Sequence, residues 1–333
     1  MNSKLSVLVV GVGSIGERHL RCFQQAVGCE LGLVEPMESR RNEVADRYGV
    51  TQRFASLDDA CRRDWDAAVI CTPANWHVDH ALQLLSRCRG LLIEKPLATK
   101  LEDAARLRTA AGDKLISVAY VYRAHPACEA VRKLIASGEI GDVLQATAVS
   151  GQHFPTFRPA YREIYYKDRR TGGGAIQDAM THLANAVQYL VGRYDWVFCD
   201  YDHQCLEGVT VEDTVHLSGR AAGGKVMVSI AMNQFMAANE SKLQINGSRG
   251  SVRIELPEHR YGLIHHGEPA WTWSEPLLHE RDEWFQRQAS HFIAALEGRE
   301  APACSLADAE HTLAVNLAAL ESAGKRPVPV SVL

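Results

Sequence analysis

The sequence predicts two domains, an α/β domain built on a parallel sheet and, after it, an α+β domain built on an antiparallel sheet. Short apolar runs alternate with helical patterns through residues 1–122, whereas from residue 123 onward strand-like runs are joined by short turns. A chain of 333 residues is also long for a single hydrophobic core. We therefore predict one domain over residues 1–122 and a second over residues 123–333.

The composition is that of an ordinary globular protein, with 46% hydrophobic and 23% charged residues. A formal net charge of −4 gives no basic surface, so we expect neither nucleic acid nor a membrane as a partner. The apolar run "KLSVLVVGVG" is too short to span a bilayer and indicates a strand. The nine cysteines include no C-x-x-C pair, which favours reduced thiols and a cytoplasmic location. The stretch "CDYDHQC" fits no common zinc spacing, so we expect no metal.

The first apolar run ends in "GVGSIG", which sets Gly11, Gly13 and Gly16 in a G-x-G-x-x-G pattern ahead of the helical stretch "SIGERHLRCFQQ". Between a strand and a helix, this pattern is typical of a Rossmann dinucleotide-binding fold. Gly11 permits the turn, Gly13 lets a pyrophosphate approach the backbone, and Gly16 lets the helix pack against the strand. The N–H groups at the helix start offer donors to the phosphates.

The second predicted strand, "CELGLVE", ends at Glu35, at about the distance from the glycines where dinucleotide-binding folds place an acid. A carboxylate at this point accepts hydrogen bonds from the adenosine ribose hydroxyls and repels the 2′-phosphate of NADP. We therefore expect NAD as the cofactor. The alternative is an exposed acid at a strand end, and Arg40 and Arg41, which follow closely, leave the use of NADP open.

Two further strand ends are candidate ligand sites: "CTPANWH" begins within the end of the strand at 66–73, and "EKP" forms the end of the strand at 90–96. Ligands of parallel sheets sit beyond the carboxyl ends of the strands. Pro96 fixes the chain direction and could hold a cis Lys95–Pro96 bond, a feature usually found at a tight turn. Lys95 would then point into the crevice for the nicotinamide and stabilise a developing alkoxide, whereas a surface Glu–Lys ion pair is the alternative.

The remaining predicted elements of the first domain are helices at about 76–85 and 102–111 and a strand at 115–122. In the second domain a helix closed by Gly138 and Gly141 leads into the strand "VLQATAVSG". Two hairpins follow, "DTVHLSG" with "KVMVSIAMNQ" and "KLQING" with "SVRIEL". The helix at 281–297 has core-type spacing. The run "YKDRR" at 166–170 indicates an exposed loop or a mobile lid.

The stretch "GGGAIQDAMTH", residues 172–182, places three glycines before Asp178 and His182. Because four residues separate the pair, both side chains share one face of the predicted helix. A hydride leaves carbon only as the attached hydroxyl loses its proton, and a histidine suits the base that this requires. A local ion pair is the alternative. The apolar residues of the same helix form a different stripe, which we expect to face the core: Leu183, Val187 and Leu190.

Taken together, "GVGSIGERH", "CTPANWHVDHA", "EKPLA", the Asp178–His182 pair and "ERDEWFQRQASHFIAALEG" resemble the glucose–fructose oxidoreductase/inositol dehydrogenase (Gfo/Idh/MocA) family over essentially the whole chain. The resemblance implies one large, mostly antiparallel open sheet in the second domain, and a free sheet face that supports a homodimer or homotetramer. It also implies that Asp178 and His182 face the nicotinamide, with Lys95 on the other side of the substrate. Met180 departs from the pattern, because the family often has a small residue between the Asp and the His.

Carried over residue by residue, the resemblance assigns catalysis to Lys95, Asp178 and His182. The residues implied for cofactor binding lie at the strand ends: Gly11, Gly13, Ser14, Ile15, Gly16, Glu35, Thr72, Pro73, Asn75, His77, Glu94, Lys95 and Arg123. Arg123 has an equal alternative as a surface arginine at a domain hinge. Three residues of "GQHFPTFRPAYREIYY" are proposed to contact the substrate: His153, Arg158 and Tyr165.

We therefore predict an NAD-dependent oxidoreductase that acts on a secondary alcohol or ketone of a sugar, cyclitol or nucleotide sugar. In this hypothesis His182 is the general base, Lys95 stabilises the alkoxide, and Asp178 orients the imidazole or binds a neighbouring hydroxyl. One alternative is a glycosidase of the same family that uses NAD for transient oxidation. A non-catalytic sugar sensor is a weaker alternative, since a sensor needs neither a base nor an alkoxide-stabilising lysine.

Overall fold

The structure is a computed structural model that describes residues 4–280 and 282–322. Contacts divide the chain into two compact units. The first comprises Met1–Ala130, Arg170–Gly172 and Pro276–Leu313, and the second comprises Val131–Arg169, Gly173–Glu275 and Ala314–Leu333. Arg281, which begins the predicted late helix, and residues 323–333 of the predicted second domain lie outside the described residues. The units differ from a single division after residue 122 chiefly because residues 276–313 return to the first unit.

The first unit contains a six-stranded parallel sheet in the order β3-β2-β1-β4-β5-β6. The strands are β1 (Ser6–Val10), β2 (Glu30–Val34), β3 (Gln52–Phe54), β4 (Trp65–Ile70), β5 (Cys88–Ile93) and β6 (Leu115–Val118). The helices between them are α1 (Ser14–Val27), α2 (Glu38–Tyr48), α3 (Leu57–Ala60), α4 (His77–Leu84) and α5 (Leu101–Ala111). The strand order reverses between β1 and β4, which is where such sheets open a crevice for a ligand.

The alternation predicted from the sequence is confirmed, but three strands end earlier than predicted: those expected at 66–73, 90–96 and 115–122 end at Ile70, Ile93 and Val118. The predicted strand at 115–122 ends at Val118, and a 3₁₀ helix follows at Val121–Ala124. The Val118 N–H donates to the carbonyl of Cys304, and the Tyr120 N–H turns back to the Val118 carbonyl. This contact with a remote segment ends the strand, although the local sequence stays apolar.

The second unit contains an eight-stranded sheet in the order β14-β13-β12-β11-β7-β10-β9-β8. After helix α6 (Pro126–Ala136), its elements are β7 (Val143–Gly151), α7 (Phe154–Phe157), α8 (Thr181–Val191), β8 (Tyr194–Asp202), β9 (Thr214–Ala221), β10 (Val226–Asn233), β11 (Glu240–Gly247), β12 (Gly250–Glu255), β13 (Arg260–His265) and β14 (Thr272–Trp273). Among the described strands of this sheet, the β7–β10 pairing alone is parallel, and both predicted hairpins are confirmed as β9–β10 and β11–β12. The α8 helix packs against β7 and β10.

Two helices complete the described chain, α9 (Glu283–Leu296) and α10 (Leu306–Ser322). The α9 helix packs on α1 inside the first unit, where the rings of Phe23 and Phe292 meet edge to face at 6.2 Å. Phe285 and Ala289 are buried as well. The core role predicted for this helix is therefore confirmed, and its apolar face explains why residues 276–313 belong with the first unit.

All nine cysteines are free thiols, and six of them are buried. Burial raises the pKa of the Cys22, Cys88 and Cys128 thiols to about 12. Within residues 4–280 and 282–322, no three His, Cys, Asp or Glu side chains are grouped so that they could hold a metal ion. Over the same residues, no helix combines the length and the apolar character that crossing a membrane requires.

Candidate active site

The glycine-rich turn after β1 is shaped by close backbone contacts. Gly11 has a φ of 83°, and a Cβ on Gly16 would lie 1.8 Å from the Gly11 carbonyl oxygen. A Cβ on Gly13, by contrast, would meet no atom within 4 Å, so the approach to this peptide is open. No side chain caps the start of α1, where Ser14 and Ile15 lie. A tight turn, an open glycine and an uncapped helix N-terminus fit the pyrophosphate of a dinucleotide.

Glu35 lies at the end of β2 beside this turn and is only 7% exposed. Its carboxylate accepts hydrogen bonds from the Val12 N–H at 3.3 Å and the Met37 N–H at 3.1 Å. The alternative of an exposed strand-end acid is therefore wrong. Arg41 donates to the carbonyl of Glu35 at 2.8 Å, while the Arg40 guanidinium lies 3.8 Å from the Glu35 carboxylate. The carboxylate is thus fixed in place by backbone donors, and its contact with the ribose stays a prediction.

The loop after β4 contains the predicted residues Thr72, Pro73, Asn75 and His77. A Cβ on Gly11 would lie 3.2 Å from the Thr72 methyl group, so this loop borders the glycine turn. Pro73 and Asn75 are exposed, whereas His77 is buried. The His77 ring nitrogens lie 2.7 Å from the Thr72 carbonyl oxygen and 2.9 Å from that of Pro96. His77 thereby connects the loops after β4 and β5, and burial lowers its pKa.

The loop after β5 places Lys95 next to a buried pair formed by Glu94 and His19. The Lys95–Pro96 bond is cis. Glu94 is buried, accepts a hydrogen bond from His19 Nε2 at 2.7 Å, and accepts another from the Lys95 N–H at 3.0 Å. Burial alone would raise the pKa of Glu94, but the His19 hydrogen bond and the nearby charges lower it below its ordinary value. The alternative of a surface ion pair is wrong for Glu94, which is instead a buried support for the Lys95 backbone.

His19 was not among the predicted site residues, although a signal for it was present. Ile15, His19 and Phe23 are spaced by four along α1, so the histidine interrupts the inward apolar stripe of that helix. A polar residue on such a stripe needs a buried partner. The sequence therefore predicts that His19 has a buried partner, but it does not identify that partner as Glu94, which is 75 residues away.

Arg123 is buried and engaged within the first unit. Its Nη1 donates to the carboxylate of Asp308 at 2.9 Å and to the carbonyl of Ala303 at 3.1 Å. Burial raises the pKa of Asp308, but the charge and hydrogen bond of Arg123, together with hydrogen bonds from Ser305, lower it overall. The alternative of a surface arginine is therefore wrong. Arg123 forms an internal ion pair with Asp308. That it also binds the cofactor stays a prediction.

The three glycines before Asp178 are explained by the contacts around them. Gly172 and Gly174 have φ values of 89° and 90°, which L side chains rarely adopt. A Cβ on Gly173 would lie 2.2 Å from the Tyr166 carbonyl oxygen, and one on Gly174 would lie 2.5 Å from the carboxylate of Glu212. The glycines therefore allow close approach as well as unusual backbone angles.

The helical stretch that follows begins as a π-helical turn at Ile176–Met180 and continues as α8. The predicted helix is present, but Asp178 lies on the π-helical turn and His182 on the α-helix. Such turns are rare and frequently occur at functional sites. Met180 is fully buried. Its size, which the family resemblance left unexplained, fits a core position.

Asp178 is buried, and its Oδ1 accepts a hydrogen bond from the Tyr165 hydroxyl at 2.6 Å. His182 is partly exposed on the first turn of α8. The core stripe predicted for this helix is confirmed, since Leu183, Val187 and Leu190 are all buried. The second unit thus presents a buried carboxylate with a phenol partner and a partly exposed imidazole four residues later.

The other predicted substrate residues have local partners in the second unit. His153 Nδ1 lies 2.7 Å from the Thr156 hydroxyl, and Arg158 donates to the Gln152 side chain at 3.3 Å. Both contacts are near the surface, and neither joins Asp178. Of the three residues proposed for substrate contact, the structure brings Tyr165 alone to the predicted acid.

The run "YKDRR" is not an irregular loop, although three of its residues are exposed, and the mobile lid stays a prediction. It lies in two short 3₁₀ helices, Tyr165–Lys167 and Arg169–Thr171. Tyr166 is buried, and Arg169 forms an ion pair with the buried carboxylate of Glu212 at 2.7 Å. Sequence reasoning missed Glu212, because "VEDT" carries no local sign of a contact with Arg169.

A parallel sheet with an open glycine turn, a fixed acid after β2 and a lysine after β5 defines an oxidoreductase of the dinucleotide-binding Rossmann class. Comparison with known families agrees. Residues 5–120 match an oxidoreductase family with an NAD-binding Rossmann fold, and residues 128–253 match the GFO/IDH/MocA C-terminal domain. The chain belongs to the Gfo/Idh/MocA family of oxidoreductases, and its cofactor is NAD.

Individual relatives cover most of the chain. Inositol 2-dehydrogenase 1 of Mycolicibacterium vanbaalenii is 31% identical over 85% of this chain and 80% of its own length. Inositol 2-dehydrogenase of Rhizobium meliloti is 25% identical over 97% of this chain and 98% of its own. A levoglucosan dehydrogenase solved with NADH has the same fold, with a TM-score of 0.87, 22% identity and coverage of 96% and 97% of the two chains.

Proposed function

We propose that the protein transfers a hydride between NAD and a secondary alcohol or ketone of a polyol, either a cyclitol or a sugar. In this proposal His182 is the general base, Asp178 orients it or binds a neighbouring hydroxyl, and Lys95 stabilises the alkoxide. The names of the relatives support a polyol substrate, because several are inositol 2-dehydrogenases and one is a levoglucosan dehydrogenase.

The observation that carries the proposal is the environment of Asp178. A carboxylate buried with one phenolic hydrogen bond, four residues ahead of a partly exposed histidine, is more than a surface ion pair. An exposed pair would need neither the burial nor the two glycines, Gly173 and Gly174, that let Tyr166 and Glu212 approach the backbone just before it. Groups with such surroundings cluster at functional sites.

In the proposed reaction the alcohol loses one proton and one hydride, and each has an acceptor. The alcohol O–H proton passes to an unprotonated nitrogen of His182, while the C–H hydrogen leaves the same carbon with both bonding electrons and the C–O bond becomes a carbonyl. NAD, when bound, accepts that hydride. The Lys95 ammonium donates to the oxygen as negative charge develops on it. In the reverse direction His182 returns the proton.

The experiment is a screen of cyclitols, sugars and nucleotide sugars with NAD, followed by reduced-nicotinamide absorbance. With the best substrate, His182→Ala is expected to lower kcat by a factor of about 100 to 10,000, the usual contribution of a general base. His266→Ala removes an exposed histidine of the same unit and is the matched control. Unchanged turnover in His182→Ala would overturn the mechanism. Glycoside hydrolysis without net NADH would indicate the glycosidase, and NADH binding without turnover of any polyol would indicate the sensor.

We also propose that the chain forms a homodimer or homotetramer through its eight-stranded sheet. Trp196, Arg220 and Met227 lie side by side on adjacent strands and therefore on one face of the sheet. Trp196 is 55% exposed and Met227 52% exposed, one on each side of Arg220, and large exposed apolar side chains on one sheet face favour association. Light scattering of the wild type and of Trp196→Glu tests this proposal. A monomeric wild type would refute it.

A further inference from the structure

The helical stretch that carries Asp178 and His182 begins at a residue that cannot cap it. Ala175 precedes the π-helical turn and has no side-chain acceptor for the first N–H groups. Glu212, from elsewhere in the chain, supplies an acceptor for each of two N–H groups at this helix start. Its Oε1 accepts from the Ile176 N–H at 3.0 Å, and its backbone carbonyl accepts from the Ala175 N–H at 2.9 Å. A residue 36 positions away therefore caps this helix.

A carboxylate as buried as that of Glu212, at 1% exposure, needs a partner to offset its desolvation. Arg169 provides this partner, with Nε at 3.0 Å and Nη2 at 2.7 Å from the Glu212 Oε2. The carbonyl of Arg169 in turn accepts from the Gln177 side chain at 3.2 Å. Arg169 is thus connected to the helix start through the Glu212 carboxylate and through Gln177.

The same backbone sets the position of Asp178. The Asp178 N–H donates to the Gly174 carbonyl at 2.9 Å, and Gly174 packs directly against the Glu212 carboxylate. The Tyr165 hydroxyl reaches the Asp178 carboxylate from the 3₁₀ helix just before Arg169. A shift of Glu212 would therefore move the backbone that aims Asp178, and with it the start of α8.

We propose that Arg169 and Glu212 are positioning residues for the proton transfer, which act by fixing the start of the helix that bears Asp178 and His182. This inference rests on the function proposed above. Arg169 and Glu212 need no contact with the substrate for this role. Their loss is expected to lower kcat while the affinity for NADH, whose predicted site lies in the first unit, stays unchanged.

The chain offers a matched control in the Arg260–Glu255 pair. There too, Nε and Nη2 of one arginine approach a single carboxylate oxygen, at 2.9 and 2.6 Å, and the carboxylate is similarly buried. This pair joins β12 to β13 and has no contact with the segment 174–182 among the hydrogen bonds of the described residues. Arg260→Gln therefore removes an equivalent ion pair from the same unit without touching the helix start.

The experiment compares Arg169→Gln, Arg169→Lys, Glu212→Gln and Arg260→Gln in the full chain. Amide hydrogen exchange, which needs no substrate, is expected to speed up by about tenfold to a hundredfold in peptides covering 174–182 for Arg169→Gln, with a smaller change for Arg169→Lys. For Arg260→Gln the increase is expected at β12 and β13 instead. Unchanged exchange at 174–182 in both Arg169→Gln and Glu212→Gln would overturn the proposal.

Kinetics with the best polyol from the screen and NAD, and fluorescence titration with NADH, separate positioning from general stability. Arg169→Gln is expected to lose about tenfold to a hundredfold in kcat, with NADH affinity unchanged and partial recovery in Arg169→Lys. Faster exchange with unaltered kcat, or a loss of kcat as large in Arg260→Gln, would refute a positioning role. Full turnover in His182→Ala would refute the proposed function itself, and the exchange result would still report on the contact.

Discussion

Gly174 is the position where a single added methyl group should reveal how tightly the Asp178 segment is held. The substitution Gly174→Ala has two separate effects. The backbone φ of 90° becomes strained for any L residue, and the new Cβ would lie 2.5 Å from the Glu212 carboxylate. The second effect pushes the carboxylate away from the Ile176 N–H and from Arg169, because both carboxylate oxygens lie within 2.6 Å of the new Cβ.

The two effects have different sizes. An L residue in a left-handed conformation costs about 1–2 kcal/mol. Weakening a buried, charge-assisted hydrogen bond costs about 1–3 kcal/mol more. The free energy of unfolding of the second unit should therefore fall by roughly 2–5 kcal/mol. For a unit of this size each kcal/mol lowers the unfolding temperature by about 2–4 °C.

Gly224→Ala isolates the backbone effect. Gly224 has a φ of 79° in the β9–β10 hairpin, and a Cβ there would meet no atom within 4 Å. Thermal unfolding followed by circular dichroism should place the midpoint of Gly174→Ala below that of Gly224→Ala by about 6 °C, which corresponds to the contact with Glu212 alone. Equal midpoints for the two variants would show that the Glu212 contact contributes nothing, and would refute the reasoning.

Three other outcomes follow from the first unit. Gly16→Ala is expected to abolish NADH binding in a fluorescence titration or to prevent folding, because its Cβ would lie 1.8 Å from the Gly11 carbonyl oxygen; retained binding would contradict the proposed turn. Glu35→Ser should raise the ratio of kcat/KM for NADP to that for NAD by at least about tenfold, since it removes the carboxylate that repels a 2′-phosphate; an unchanged ratio would refute this role. The lowered pKa of Glu94 means that its stabilisation is complete above the ordinary value of 4.5 and is lost as the pH falls through the folded value. Glu94→Gln should therefore flatten the dependence of unfolding free energy on pH below about 4.5, and an unaltered acid limb in denaturant titrations would contradict the assignment.

Elements whose structure depends on residues close together in the sequence were predictable from it. The first strand is a continuous apolar run because parallel strands are buried on both faces, and β1 is buried at all five positions. The hairpins were predictable for the same reason, because each is formed by two strands joined by a short glycine-containing turn. The strands β9 and β10, for example, show alternating burial on either side of such a turn. The π-helical turn was not predictable, because the spacing of four between Asp178 and His182 suits an ordinary α-helix as well.

The early end of β6 and the contacts of Glu212 depended on residues far away in the chain. The Val118 N–H finds its acceptor at Cys304, and the Ile176 N–H finds its acceptor at Glu212. No local pattern contains such pairings, because a backbone donor gives no sign in the sequence of which carboxylate or carbonyl will accept its hydrogen bond. For the same reason "YKDRR" resembled an exposed loop, although Tyr166 is buried and Arg169 is paired.

The residues proposed to react in the two units are supported in the same way. Glu94 accepts from the N–H of Lys95 itself, and Glu212 accepts from the N–H two residues before Asp178, each at 3.0 Å. Each carboxylate is buried, and each is oriented by a basic side chain, His19 in one unit and Arg169 in the other. A charged acceptor makes a stronger hydrogen bond to a backbone donor than a neutral one, and fixing the backbone fixes the side chain that it bears. The residues proposed to react, and Glu94 with them, could be chosen from short motifs, whereas the supporting role of Glu94 and the whole contribution of Glu212 became visible only through the fold.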